Sequence, residues 1–532
     1  MMPRINEAEA FGALYKSNTA LLTFRLIAVV GLFILLDHGY RYLTHLDESY
    51  LHEPVLLFAF FKQQGWLLSG LMLLLAISGL RYGRFWINWR EIDSGLEIRN
   101  FITLLGGVLG LAFAIQGYNY YFNQGYYPDR LLLLLLIPLI YWRPVFVFPL
   151  LALLLLLIWQ WNAPLGGYIW GTIHHASQVL ILFSAWLVVN AFNRHQTSTD
   201  FVFLTCCLTA SVYWAPGFLK FNMDWLTHDR IHYMPLAAYS HGWLTFLNPQ
   251  QLLAYANAII PAEKTLHIIV LGFELGALIS LWRRRLFLAL LIIALTFHFG
   301  VFAAYGYMMW AWITLDIGLL LLILRMRSSS ALFTPARFVL SILLILVSEW
   351  WLNPPRLAWY NTPLNYTYRY LATGDSGEQY NLSPRFFAPY GDIMTMANFR
   401  YISPGPRLVG PYGMSRNKEM AGKLRTAESA DDIFALEESS GKNAYKEDKA
   451  EIFYTFIRNY LSNYNNASQS GRRWSDINCC KPPPNFWSLV PDKAYTGQEP
   501  VKKLTITETT TFYSNGELKD IRQLDLKTID IP

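Results

Sequence analysis

The sequence predicts an α-helical polytopic membrane bundle of about nine to eleven spans, followed by a smaller C-terminal α+β extramembrane domain. Three observations carry that expectation. Of 532 residues 54% are hydrophobic and only 15% are charged, with a mean hydropathy of +0.25. A soluble domain carries about a quarter charged residues. The apolar runs crowd into residues 21–352, and the composition turns polar from Asn353 onward. The bundle therefore takes residues 1–352 and the outer domain residues 353–532.

The candidate spans, in order, are 20–36, 65–80, 101–121, 130–141, 145–161, 173–192, 201–221, 264–282, 286–305, 308–324 and 338–352. Pro138, Arg143, Pro144 and Pro149 interrupt 130–161, which reads as two short spans or one long kinked segment. The opening residues, MMPRINEAEAFGALYKSN, hold no cleavable signal pattern, so the first span is expected to act as an uncleaved signal anchor. Arg81, Arg84, Arg90 and Arg99 lie between the second and third spans, and Arg143, Arg194, Arg283, Arg284, Arg285, Arg325, Arg327 and Arg337 fall in alternate later loops. The opposite loops carry Asp37, Asp47, Glu48, Glu53, Asp224 and Asp229. Basic residues stay on the cytoplasmic side, so the N-terminus is expected there and the C-terminal domain outside, in the plasma membrane or a bacterial inner membrane.

The net charge of +6 is modest and gives no ground for a nucleic-acid partner. The four cysteines, Cys206, Cys207, Cys479 and Cys480, form two adjacent pairs with neither a disulfide framework nor metal-ligand spacing. In the polar part, 364–383 alternates as strands around a Gly-Asp-Ser-Gly turn. Residues 443–464 predict an amphipathic helix with Ile452, Phe453, Phe456, Ile457, Tyr460 and Leu461 on one face. Residues 502–529 predict a hairpin turning at Asn515-Gly516. The long semi-apolar loop 222–263 reads as a lid or binding segment that packs on the outer domain. Its His228, His232 and His241 show no helix-period pair with a carboxylate, so ordinary interfacial histidines are favoured over a metal site.

Ionisable groups at membrane depth are functional candidates, and here they are Asp37, His174, His175, Lys220, His267, Glu274, His298 and Asp316. Lys220 ends an apolar run that starts near Phe201. A desolvated lysine loses its charge more easily, which makes a neutral amine able to act as a general base. Against this stands a lysine that merely snorkels to the headgroups. His267 and Glu274 are seven apart and share a helical face. Such groups can simply join helices through hydrogen bonds. A lysine, a glutamate and several histidines in one bundle also suit a proton-handling pocket, and an ion-coupled transporter would use the same mixture. No repeat relates 20–190 to 200–352, as transporter halves would require.

At these residues the chain resembles the vitamin K-dependent gamma-carboxylase family and its wider group, the horizontally transferred transmembrane (HTTM) domain proteins. The segment FRLIAVVGLFILLDHGYRYLTHLDESYL is similar to the family's first span, through Arg25, Leu36-Asp37, Leu46-Asp47 and Tyr50-Leu51. GFLKFNMDW is similar to a Gly-x-Lys-Lys…Asp-Trp segment, with Lys220 at the position of the catalytic lysine and Asp224 and Trp225 following. His267 and Glu274 stand where the family has a His and an Asp, and His298 and Met309 match a later Phe-His and methionine. The likeness covers roughly residues 20–325. The doubled lysine is single here, with Leu219 before Lys220, and Pro216 precedes Gly217.

The resemblance implies a carbon-carbon lyase of the carboxylase type. Lys220 deprotonates a reduced vitamin K-type quinol, which reacts with O2. The strong base so made takes a γ-proton from a glutamyl residue, and CO2 adds at that carbon. His175, with His174 next to it, is the expected assisting histidine and His298 a second catalytic group. His174, Asp224, Trp225, His267 and Glu274 are expected to line the quinone pocket. Membrane lipid, the quinone and an extracytoplasmic protein substrate are the implied partners. The alternative is a non-enzymatic membrane protein, either a transporter or an assembly factor whose outer domain binds a partner. Convergence of Lys220, Glu274 and His298 on one apolar cavity favours chemistry over helix joining.

Overall fold

The computed structural model describes residues 7–43, 48–59, 62, 65, 70, 87–92, 95–165, 169–192, 197–326, 329–470 and 483–532. Among the described residues the chain is mostly helical up to Trp351, and the strands begin at Tyr360. The helices used below are α1 (Glu7–Leu43), α2 (Gly95–Ala114), α3 (Tyr127–Trp142), α4 (Val147–Asn162), α5 (Ile169–Phe192), α6 (Ser198–Asn222), α7 (Tyr233–Ser240), α8 (Pro249–Ile259), α9 (Glu263–Gly276), α10 (Arg284–Tyr305), α11 (Trp310–Arg325), α12 (Pro335–Leu346), α13 (Lys418–Thr426), α14 (Ala430–Ser440) and α15 (Glu447–Gln469). Among the described residues, seven helical segments are long and apolar enough to cross a membrane: Thr19–Arg41, Gly95–Ala114, Pro144–Asn162, Ile173–Phe192, Ser198–Asn222, Pro249–Trp282 and Arg284–Tyr305. The expectation of nine to eleven spans also counts the shorter α3, α11 and α12, and the stretch 65–80, most of which lies outside the described residues. The interrupted region 130–161 is two helices, because Arg143 is extended (φ −143°) and Pro144 opens a new turn.

α6 is the axis of the bundle. It is buried on all sides from Phe201 to Gly217, as expected for a helix apolar all round. α5, α9 and α12 pack around it, α1 lies along α5, and α2 packs on α3 and α11. The outward faces of the surrounding helices are apolar: Phe24, Ile27 and Leu35 on α1, Leu131 and Leu135 on α3, Ile292 and Phe299 on α10 are all exposed. Such continuous apolar surface is foreign to a soluble monomer and suits lipid. At the start of α6, buried Asp200 accepts from Arg25 Nη2 at 3.3 Å and Arg337 Nη2 at 2.6 Å. That pairing neutralises an otherwise costly buried carboxylate and ties α1 and α12 to α6.

Among the described residues, the C-terminal part holds six strands: β1 (Tyr360–Asn361), β2 (Leu364–Gly374), β3 (Gln379–Asn381), β4 (Met414–Ser415), β5 (Val501–Ser514) and β6 (Glu517–Asp530). Four form an antiparallel sheet in the order β3-β2-β5-β6, and β1 pairs with β4. The β5–β6 hairpin turns at Asn515 and Gly516, both at positive φ (50° and 76°), as a two-residue primed turn needs. α15 buries Phe453, Phe456, Ile457, Tyr460 and Leu461. Ile452, expected on that face, is exposed instead: the stripe centres on 453, 457, 460 and 464, and Ile452 falls at its edge. Asn463 Nδ2 donates to Tyr120 O at 2.8 Å and so docks α15 on the α2–α3 connection. The loop 222–263 lies between bundle and sheet, with Thr511 Oγ1 bonded to Ser240 Oγ at 3.1 Å and Leu489 N bonded to Gly242 O at 2.8 Å.

Candidate functional site

The site begins where α6 touches α9. Gly217 makes that contact possible: a Cβ there would lie 2.6 Å from Glu274 Cβ and 3.1 Å from the Glu274 carbonyl carbon. Lys220 is three residues further on the same face. Its Nζ therefore meets Glu274 Oε1 directly, in a pair with side chains only 10% and 5% exposed. Glu274 Oε2 is buried without a partner. Trp225 covers the lysine, its ring centroid 5.3 Å from Nζ. His267 stands edge-on to that ring at 4.3 Å, and its Nε2 lies 3.2 Å from Asp229 Oδ2. Buried Asp229 in turn accepts from the backbone N–H of Asn361 at 2.7 Å. The C-terminal part thus holds Trp225 over Lys220 through a chain of three residues, Asn361, Asp229 and His267.

A second cluster lies two turns back along α6. Tyr213 Oη donates to Asp316 Oδ2 at 2.5 Å and lies 3.0 Å from His298 Nε2, which is itself 3.4 Å from Asp316. His298 Nδ1 is buried without a partner. The Trp312 ring stands edge-on to His298 at 5.7 Å.

One cavity of about 1190 Å³ joins the two clusters. Lys220, Glu274, Trp225, Tyr213, His298 and Trp312 line it on the bundle side. Its walls there are apolar, through Val212, Val270, Phe273, Phe297 and Val301. On the outer side it is lined by Arg356, Arg400, Arg407, Arg416 and Lys442. Among the described residues, Glu274 is the one acidic side chain in the lining, although Glu508 pairs with Arg407 and Glu349 with Arg356. Partial desolvation in the wall, then the neighbouring Arg407 charge, hold the Arg400 guanidinium below its ordinary pKa. An anion in this lobe would relieve that repulsion.

The remaining candidates sit elsewhere. His267 positions Trp225 and does not reach the cavity. Asp224, at φ 57°, points outward and bonds Lys418 Nζ at 2.9 Å. His175 stands edge-on to the Trp312 ring at 4.8 Å without lining the cavity, with Nδ1 3.0 Å from Gln178 Oε1. His174 Nε2 lies 3.1 Å from Arg41 Nη2, and Arg41 pairs with Asp37 at 2.7 Å. The three loop histidines do separate work: His228 is exposed beside Thr227, His232 pairs with Glu263 at 2.8 Å, and His241 stacks flat on Tyr412 at 3.8 Å. Among the described residues no three metal-ligating side chains converge. No family model, curated protein or solved structure matches this chain.

Sequence reasoning did not single out Tyr213, Trp312 or the arginines of the outer lobe. Tyr213 was within reach, since it lies seven residues before Lys220 on the same face. Arg400 and Arg407 sit in irregular segments whose pattern carries no spatial information.

Proposed function

We propose that this chain is an integral membrane enzyme of the gamma-carboxylase type, acting on a lipid-soluble quinol and on an acidic side chain supplied from the extracytoplasmic face. The observation that carries the reading is the single cavity shared by Lys220, Glu274 and His298 at its apolar end and five cationic side chains at its outer end. Helix-joining polar groups have no reason to face a common space. The arginine asymmetry along the sequence supports the orientation.

The residues present fit a quinol. The bundle end is apolar enough for its ring, and two buried polar atoms, Glu274 Oε2 and His298 Nδ1, have no partner among the described residues. Unpartnered buried polar atoms are costly and call for a ligand or water. When bound, a reduced vitamin K-type quinol supplies, with O2, the base that takes a glutamyl γ-proton so that CO2 can add. Lys220 Nζ is the proton-accepting atom. Glu274 Oε1 accepts a hydrogen bond from that nitrogen and is the group through which its proton can leave. Tyr213 and Asp316 orient His298 through its Nε2, leaving Nδ1 for the ligand. Trp225 excludes water from the amine. The outer arginines hold the carboxylate of the acidic substrate.

Mass spectrometry of co-expressed extracytoplasmic proteins tests this. Carboxylated glutamate is expected with the native chain, and Lys220→Arg should lower it by about 10²–10⁴-fold while insertion stays normal, because arginine keeps its proton. Full activity in Lys220→Arg would remove the base assignment. No carboxylated product with the native chain would leave the non-enzymatic transporter or assembly factor as the better reading.

A further inference from the structure

The cavity wall formed by α9 and α10 is unlike the rest. Phe273 and Glu274 on α9 and His298 on α10 are buried at 8%, 4% and 0% exposure. On the same two helices Ile269 and Ile293 also line the cavity, yet are 56% and 44% exposed. Gly300 lies between them and the outer end of α10, and a Cβ there would meet no atom within 4 Å. The lining along α10 runs from Ile293 to Tyr305, twelve residues or about 18 Å of helix. The wall is thus low and apolar, and Glu274 and His298 stand behind it.

We propose that this exposed stretch of lining is a lateral portal through which an isoprenoid-tailed quinol passes from the bilayer, its ring moving inward to Glu274 and His298 and its tail remaining between α9 and α10. The inference rests on the quinol reading above. Its occupant follows from the chemistry of the rim. Ile269, Ile293 and Gly300 carry no charge and no side-chain hydrogen-bonding group. They lie on helices long and apolar enough to sit in lipid, so only a lipid-soluble molecule can arrive there. The cationic outer mouth suits a water-borne anion instead. Two mouths of opposite character let two unlike substrates meet without competing for one route.

The full chain in lipid nanodiscs, anaerobic and reduced, is mixed with radiolabelled menadiol either bare or carrying a geranylgeranyl tail. Gly300→Trp has open space to fill, and Ile269→Trp narrows the portal from the other side. Both should slow association of the tailed quinol by about a decade or more, as added gating does, and leave bare menadiol, free to use the outer mouth, unchanged. Leu286→Trp, on α10 but away from the cavity, should change neither. Tailed quinol binding at the native rate in both portal variants, or equal slowing of both ligands, overturns the portal while leaving the quinol reading intact. Failure of the native chain to bind either ligand overturns both.

Discussion

Gly217→Ala tests whether the α6–α9 contact builds the site. The added Cβ would lie 2.6 Å from Glu274 Cβ and 3.1 Å from Glu274 C and Leu275 N. Carbon atoms ordinarily rest about 3.5–4.0 Å apart, so the shortfall is about 1 Å. Two of the three atoms met belong to backbone, so no rotamer change removes the clash. The helices must part, at about 1–3 kcal/mol for overpacking of this kind. The Lys220–Glu274 pair lies one turn away and would stretch beyond hydrogen-bond reach, adding the loss of a charge-assisted bond of about 1.5–3 kcal/mol. Thermal unfolding in detergent reads the stability. Acylation of lysines followed by peptide mass spectrometry reads the geometry, with exposed Lys264 as the internal standard. Lys220 should label slowly in the native chain and faster in Gly217→Ala. Gly272→Ala on α9 is the control: its Cβ would meet nothing, and alanine is the better helix former by about 1 kcal/mol, so stability should hold or rise. A Gly217→Ala protein of native stability with unchanged Lys220 labelling would refute the close contact and the site built on it.

Two further outcomes follow from buried charge. Lys220→Met or Glu274→Leu alone leaves the partner charge stranded and should lose about 3–5 kcal/mol, whereas the double variant should recover most of it; simple additivity in unfolding measurements would deny the coupling. His241 is held well below its ordinary value, at about 4, first by burial, while its bonds to Thr395 O and Asn365 act against that shift. The unfolded chain takes up this proton near pH 6.5 and the folded one only near 4. Stability from this group should therefore be intact above about pH 6.5 and fall by about 3 kcal/mol as the pH drops to about 4. His241→Phe, which can keep the stack on Tyr412, should remove that slope in pH-dependent unfolding, and an unchanged slope would assign the acid sensitivity elsewhere.

The parts of this architecture that are periodic were legible, and the parts that depend on non-local approach were not. Apolar runs gave the helices because lipid length and burial act on every residue of a run. Asn515-Gly516 gave the hairpin because only such residues accept two positive φ angles in succession. The pairing of Lys220 with Glu274 was hinted at by residue type, but fixing it took the missing side chain of Gly217, whose meaning depends on what stands opposite. His175 shows the converse. Its place beside His174 in an apolar run marks it for function, and yet the helix turns it toward Gln178 and the Trp312 ring, outside the cavity lining. A one-residue difference on a helix rotates a side chain by about 100°, which no list of polar residues conveys.

The same limit explains why the cationic lobe was invisible. Arg356, Arg400, Arg407, Arg416 and Lys442 are spread over irregular segments with no shared period. They meet because β1 and β4 pair Tyr360 with Ser415 and bring the chain near Arg356 back beside Arg416. Arg416 Nη2 then donates to Arg356 O at 2.9 Å. Arg407 is drawn in by Glu508 on β5. Each contact alone is an ordinary fold-holding bond. Together they leave a surplus of positive charge facing a cavity whose far end holds a buried carboxylate with a free oxygen. A fold optimised only for stability would have no use for that surplus, since like charges in a partly dry wall repel. The surplus therefore argues for an anionic visitor, and the apolar, proton-handling end argues for a different one. Two such ends support the proposed joining of two substrates over the passage of a single solute.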